Sequence, residues 1–385
     1  MSVRIVDIAR TAGVSPATVS LALNGKPGVG DDTRRRIAAL ARKLGYRPLR
    51  PAGRPARPGE SICLLHVARH GHTVNRDHDV FIADYIDGLG QASKQAGLKL
   101  EIATFKHTPI AEIIERAEQQ PGAGLVVLGT ELSTADVAAF SAVGRPLVFL
   151  DTWCDFLPFD FVDMNNRDAV FTVVSHLAAR GHRRIGMVKA GAADGGWETR
   201  NLRLREEAFV ESLARCGLPF EDRFVFATDS TFHGAHDDML GILRRGAELP
   251  SALFCANDII ACGCLKALSA QRVRVPHDVS LVGFDDLPLA AVSDPPLTTV
   301  QVSKAEMGRT AVQLLVGRIS GENTAPPVKV LVGGRLVERE SVRLLTDAAR
   351  AAAGEAKAPR GRAAAEGPPR ARDPREGGRG RLERR

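Results

Sequence analysis

Ile5-Val6-Asp7-Ile8-Ala9-Arg10-Thr11-Ala12-Gly13-Val14-Ser15-Pro16-Ala17-Thr18-Val19-Ser20-Leu21-Ala22-Leu23-Asn24-Gly25 is the stretch on which the reading of this chain turns. Ile5, Ile8, Ala9 and Ala12 recur at helical spacing, and Gly13 ends that pattern as a C-terminal glycine does. Ser15 is placed to cap a second helix and Pro16 to open it, with Val19, Ala22 and Leu23 on its inner face. Ala17, Thr18, Ser20 and Leu21 are then left largely outward. Two short helices joined by a three-residue turn with glycine form a helix-turn-helix, whose second helix can lie in the major groove with its N-terminal residues on base edges.

A third helix is expected from about Asp31, with Ile37, Leu40, Ala41 and Leu44 inward and Arg34, Arg35, Arg36, Arg42 and Lys43 outward, ending at Gly45-Tyr46-Arg47-Pro48. IVDIARTAGVSPATVSLALNGKPGV followed by TRRRIAALARKLGYRP closely resembles the DNA-binding head of the LacI/GalR (lactose-repressor-like) transcription regulators. The resemblance implies a reading set of Ser15, Pro16, Ala17, Thr18, Ser20, Leu21, Asn24 and Thr33. Most relatives carry arginine where this chain has Leu21, so its base preference is expected to differ, because leucine makes no bidentate contact to guanine.

The rest of the chain fits that reading. It has 385 residues, 44% hydrophobic and 25% charged, enough for more than one core in a soluble protein. Residues 1–60 hold 12 Lys and Arg against 4 Asp and Glu, residues 346–385 hold 11 against 6, and residues 61–345 hold 29 against 35. Positive charge is thus concentrated at the ends, the distribution expected when a head docks on phosphates and the body stays clear of them. The N-terminus runs Met1-Ser2-Val3-Arg4 into the head without an apolar export segment, giving the expectation of a cytoplasmic protein. The six cysteines, Cys63, Cys154, Cys216, Cys255, Cys262 and Cys264, contain no C-x-x-C pair and are read as reduced core residues. A metal or redox role for Cys262 and Cys264 is the alternative.

Four segments are expected: a head at 1–47, an Arg/Pro-rich linker at 48–60, a body at 61–345 and a disordered basic tail at 346–385 that has almost no large apolar side chains. In the linker each of Pro48, Pro51, Pro55 and Pro58 follows arginine, which favours extended backbone over helix. The family forms a hinge helix here and wedges a leucine into the minor groove; that position falls on Pro55. Gly53-Arg54-Pro55 resembles the core of AT-hook peptides, so Arg54 is expected in an A·T-rich minor groove, with a solvated tether as the alternative.

In the body, apolar runs beginning at Ser61, Leu98, Gly124, Pro146, Arg184, Ser251 and Val279 alternate with amphipathic helices. The expected fold is a two-lobed, doubly wound α/β domain. Pro146 to Asp151, His176 to Gly186, Ala256-Asn257-Asp258 and VPHDVSLVGFDDLPLA resemble the family's effector domain, which has the fold of periplasmic sugar-binding proteins. That resemblance implies three crossings between lobes, near Phe161, Ser293 and Gly321. It also implies a pocket in which Phe81 stacks on the ligand and Asp151, Arg203, Asn257 and Asp285 bond its polar groups. A polyol suits those groups: carboxylate, amide and guanidinium bind hydroxyls in pairs. Capping by Asp285 and Asn257, a solvated Arg203 and a core Phe81 are the plainer alternatives. His70, His72 and His78 in the first body loop could ligate a metal, although their irregular spacing favours a solvated loop, and no cofactor is expected.

The function expected is a ligand-responsive, homodimeric, sequence-specific DNA-binding regulator, a repressor of carbohydrate-related genes with a sugar-like effector. A solute-binding protein lacks the reason for a basic head. An enzyme is disfavoured because G-x-x-x-x-G-K-[ST], G-x-S-x-G and H-E-x-x-H are all missing.

Overall fold

The computed structural model describes residues 5–23, 28–43, 60–70, 73, 79–191, 199–321, 323 and 325–345. Asn24, Arg54, nearly all of the linker, His72, His78 and the tail lie outside these.

Helices α1 (Ile5–Ala12), α2 (Pro16–Leu23) and α3 (Asp31–Lys43) form the head. Gly13 takes a left-handed φ of 68°, and Val14 N–H donates back to the Ala9 carbonyl at 3.1 Å, closing α1 with a Schellman-type turn. Ser15 then caps α2 by accepting from Thr18 N–H at 3.1 Å. Ile8, Ala9, Val19, Ala22, Ile37 and Ala41 are buried together, one small core from all three helices. That core fixes the angle at which α2 is presented.

The body runs β1 (Ser61–Ala68), α4 (Asp79–Gln95), β2 (Lys99–Lys106), α5 (Ile110–Gln119), β3 (Leu125–Leu128), α6 (Thr134–Ala139), β4 (Leu147–Leu150) and β5 (Asp160–Met164). It continues through α7 (Asn166–Ala179), β6 (Ile185–Ala190), α8 (Arg200–Arg215), β7 (Val225–Thr228), α9 (Phe232–Arg244), β8 (Ala252–Cys255), α10 (Asp258–Ala270) and β9 (Ser280–Val282). It closes with α11 (Pro288–Val292), β10 (Thr299–Gln301), α12 (Lys304–Ser320), β11 (Lys329–Val332) and β12 (Arg335–Val337). One lobe is built on a parallel sheet ordered β2-β1-β3-β4-β5-β11 and the other on a parallel sheet ordered β7-β6-β8-β9, while β10 and β12 pair antiparallel. Their β1, β3, β4, β6, β8 and β9 strands are buried on both faces, which is why they read as continuous apolar runs.

The chain passes between lobes after Met164, at Val302–Ser303 and at Gly333–Gly334, so the second and third crossings fall some way beyond Ser293 and Gly321. Helix α12 belongs to the first lobe and lies against α4. A Cβ on Gly88 would stand 2.1 Å from the Ala305 carbonyl, and one on Gly308 would stand 2.8 Å from that of Tyr85. Only glycine permits that approach. Strands β5, β10, β11 and β12 and helices α11 and α12 lie outside the alternation read from the sequence; the strands are short, and the buried face of α12 carries Lys304 and Gly308 among its apolar residues.

Candidate functional site

Strand ends supply the cleft between the lobes, as parallel sheets dictate. Asp151 follows β4 with a left-handed φ of 56° and is 1% exposed. Its Oδ1 accepts from Tyr85 Oη at 3.0 Å and from Asn201 Nδ2 at 3.0 Å, and its Oδ2 accepts from Thr130 Oγ1. Tyr85 and Thr130 come from the same lobe as Asp151, whereas Asn201 stands on α8 of the other. This bond therefore spans the cleft.

On the facing lobe Arg205 is the hub, with a side chain only 4% exposed. It donates through Nε to Asn166 Oδ1 at 3.0 Å, through Nη1 to the Ala256 carbonyl at 2.6 Å and through Nη2 to Asp285 Oδ1 at 3.1 Å. Its guanidinium also lies 3.8 Å from the centre of the Phe284 ring. Asn166 in turn donates to Asn201 Oδ1 at 3.1 Å, so one hydrogen-bonded set runs from Asp151 through Asn201 and Asn166 to Arg205 and Asp285. A guanidinium and two carboxylates, all buried, are groups of the kind that bind hydroxyls in pairs.

Burial disfavours the charged forms of these acids. It raises the Asp151 carboxyl to about 6 despite hydrogen bonds from Thr130 and Tyr85, and raises Asp163, with the neighbouring Asp151 charge adding to the effect, to about 8. Asp163, the penultimate residue of β5, lies beside Asp151, since Leu150 and Val162 are partners in the β4–β5 register.

The other expected residues divide. Phe81 is 8% exposed, packs edge-on to Tyr85 at 5.4 Å, and has the Lys304 ammonium 4.9 Å from its ring centre, so one of its surroundings is already a cation. Asn257 is buried and caps α10, its Oδ1 accepting from Ile260 N–H at 2.8 Å. Arg203 is not brought to the cleft: its side chain is 58% exposed and stands 3.9 Å from Glu207. Arg205, one turn before the buried Phe209, occupies the place expected of it, because 205 and 209 share a helical face that 203 does not. Tyr85, Thr130, Asn166, Asn201, Asp163 and Lys304 were not legible as site residues, since Tyr85 sits inside α4 and the others depend on a strand-end or helix-start position rather than a motif. In the first body loop, the His70 backbone N–H bonds the buried Glu131, and the His66 ring pairs with Thr73.

In the head, Ser15, Pro16 and Ala17 are exposed at the start of α2, while Thr18, Ser20, Leu21 and Thr33 are half-buried. Leu21 turns partly toward Gly28 and is less outward than the helical spacing implies.

Residues 4–48 match the lacI family of bacterial regulatory proteins, and residues 174–342 match a periplasmic binding protein-like domain. The HTH-type transcriptional repressor CytR of Escherichia coli (strain K12) is 30% identical over 341 residues, covering 88% of this chain and 96% of that protein. This chain belongs to the lacI family. The HTH-type transcriptional regulator reg1 of Streptomyces lividans is 33% identical over 355 residues, covering 89% of this chain and 97% of that one. Among solved structures, the transcriptional regulator CelR–cellobiose complex superposes with a TM-score of 0.65 at 26% identity, over 88% of this chain and 99% of that one. As a lacI-family member the chain is a DNA-binding transcription regulator with a helix-turn-helix head and an α/β effector domain. No helix among the described residues is long and apolar enough to cross a membrane.

Proposed function

We propose that this regulator represses carbohydrate-related genes and that a small neutral polyol, a sugar or sugar derivative, sets its affinity for operator DNA from the inter-lobe cleft. The observation that carries the reading is the buried set of Asp151, Asn201, Arg205 and Asp285, whose members come from both lobes and meet where they close. Closure of two lobes about a ligand is a familiar hinge transition, and here the ligand would replace contacts that the lobes make with each other. The similar structure of a transcriptional regulator CelR–cellobiose complex accords with a sugar ligand.

The protein would act by binding rather than catalysis, in the cytoplasm, as a homodimer whose two heads read a pseudo-palindrome. Ser15, Pro16, Ala17, Thr18, Ser20, Leu21, Asn24 and Thr33 would meet the DNA, with Arg54 of the 48–60 linker following the minor groove; the body would extend over 61–345. Titrating sugars into the protein bound to fluorescent operator tests the reading. A sugar should change the operator affinity of the wild-type protein, and Asp285→Ala should keep operator binding while losing that response. An undiminished response in Asp285→Ala would overturn it.

A further inference from the structure

Asp163 and Arg200 are left over when the polar groups of the cleft are matched with one another. Asp163 is 1% exposed; its Oδ1 accepts from Met164 N–H at 2.9 Å, but its Oδ2 is buried with no hydrogen-bond partner among the described residues. Arg200 opens α8 on the facing lobe, and its Nε is likewise buried with no hydrogen-bond partner among the described residues. Its guanidinium instead reaches Asp155 of the β4–β5 connection, at 3.7 Å. One polar atom on each lobe is thus buried without a hydrogen bond among the described residues, and the Arg200 charge acts on the Asp163 carboxyl. The neighbouring Asp151 differs, because protein donors fill both of its oxygens.

Leaving a buried polar atom unmatched costs roughly 1–3 kcal/mol, more for a charged group, so each such atom calls for an explanation, and an occupant of the cleft is one. The two atoms specify what that occupant must do. It has to match Asp163 Oδ2, donating to it when the carboxyl is ionised and accepting from it when the carboxyl is protonated, and it has to accept from Arg200 Nε. A hydroxyl does both. An ammonium offers Arg200 no acceptor and meets its charge; a carboxylate or phosphate would satisfy Arg200 but meets the neighbouring Asp151 and Asp285 carboxylates.

We propose that Asp163 and Arg200 form a further subsite of the cleft, one arm from each lobe, that takes a single neutral hydroxyl of the effector. The subsite selects a polyol over its amino, carboxylate and phosphate counterparts, and it adds a tie between lobes that exists only when the ligand is bound. This rests on the sugar reading given above.

The test uses the full-length protein with D-ribose, D-glucose and cellobiose, and with glucosamine, glucose 6-phosphate and ribose 5-phosphate as charged counterparts, followed by thermal shift and calorimetry. At least one neutral sugar should stabilise the wild-type protein, with its charged counterparts binding more weakly. Asp163→Asn should melt no lower than wild type without sugar, because it removes an unmatched carboxyl, yet bind that sugar about tenfold more weakly, a change of about 1.4 kcal/mol. Arg200→Met should weaken binding in the same direction. Wild-type affinity in both variants would leave only an ordered water between the two side chains and overturn the subsite while sparing the sugar reading. A lower melting point of sugar-free Asp163→Asn would make the residue structural and overturn it too. Failure of every neutral sugar to stabilise the wild-type protein would overturn the sugar reading itself, and the subsite with it.

Discussion

Replacing Arg205 by methionine keeps much of its length and apolar stem while deleting the guanidinium. The structure states what is then lost: the donors to Asn166, to the Ala256 carbonyl and to Asp285, and the cation resting on the Phe284 ring. Removing one partner of a buried ion pair costs about 3–5 kcal/mol, chiefly because the other charge stays buried without compensation. At roughly 2–4 °C per kcal/mol for a domain of this size, Arg205→Met should lower the melting temperature by on the order of 10 °C. The measurement that isolates the pair is a double-mutant cycle with Asp285→Asn, read by urea unfolding. Each single variant should be strongly destabilised, and the double should be more stable than their sum by about 0.5–3 kcal/mol. The head has its own core of Ile8, Ala9, Val19, Ala22, Ile37 and Ala41, so its unfolding serves as an internal control. A loss below about 1 kcal/mol for Arg205→Met, or a strictly additive cycle, would refute the assignment of Arg205 and Asp285 as one energetic unit.

Three further outcomes are expected. Leu21→Arg should move the half-site preference toward guanine at one position, by about 1–3 kcal/mol against the wild-type base, and site selection on both proteins checks it. Operators with A·T centres should bind more tightly than those with G·C centres, and Arg54→Ala should remove that preference at a cost of roughly 1–3 kcal/mol per dimer with a shallower salt dependence; equal affinities would leave the linker a tether. Burial holds Asp163 near 8 in the folded protein against an ordinary 3.8, so its contribution to stability is complete below about 3.8 and is lost as pH rises toward 8; melting curves across that window should fall less steeply for Asp163→Asn.

Periodicity and capping make the head legible because every one of its signals is local: Gly13 with its left-handed φ, Ser15 accepting from Thr18, and Ile8, Val19 and Ile37 at inward positions. The parallel strands are legible for a similar reason, since burial on both faces demands unbroken apolar runs such as Leu125–Leu128 and Leu147–Leu150. Site residues are harder to read because they are defined by what faces them. Asp151 and Asp285 follow strands and can be placed by chain order. Arg203 and Arg205 have the same chemistry two residues apart, and only the helical face that holds Asn201, Leu202, Ala208 and Phe209 separates them. Asp163 reads as one more charge in a short strand, and that its Oδ2 has no hydrogen-bond partner among the described residues emerges only when β5 is set beside β4 and opposite α8.

Asp285 and Asp286 show how chemistry in the cleft reaches the segments that join the lobes. Both are non-glycine residues with left-handed φ, 108° and 51°, a conformation that surrounding contacts must hold in place. Asp285 uses its N–H on the Val300 carbonyl at 2.8 Å, its carboxylate on Arg205 and its carbonyl on Lys304 Nζ at 2.9 Å. Asp286 points the other way and accepts from Gln301 Nε2 at 3.0 Å and from Arg339 Nη2 at 2.7 Å. One strained dipeptide therefore touches β10 at its end, the first residue of α12 and the chain just beyond β12. Lys304 carries the contact onward, standing 3.4 Å from Asp84 of α4 in the first lobe. That lobe begins at Ser61, directly after the linker, and its edge is fixed to it by Lys99 N–H on the Glu60 carbonyl at 3.0 Å. A ligand that draws Arg205 away from Asp285 would alter the force on a backbone already held in a sparsely populated region. The response would pass through Lys304 and Gln301, where the chain crosses at Val302–Ser303, and would move the lobe from which the linker departs. Coupling of this kind needs no long chain of contacts, because the pocket and the crossing share two adjacent residues.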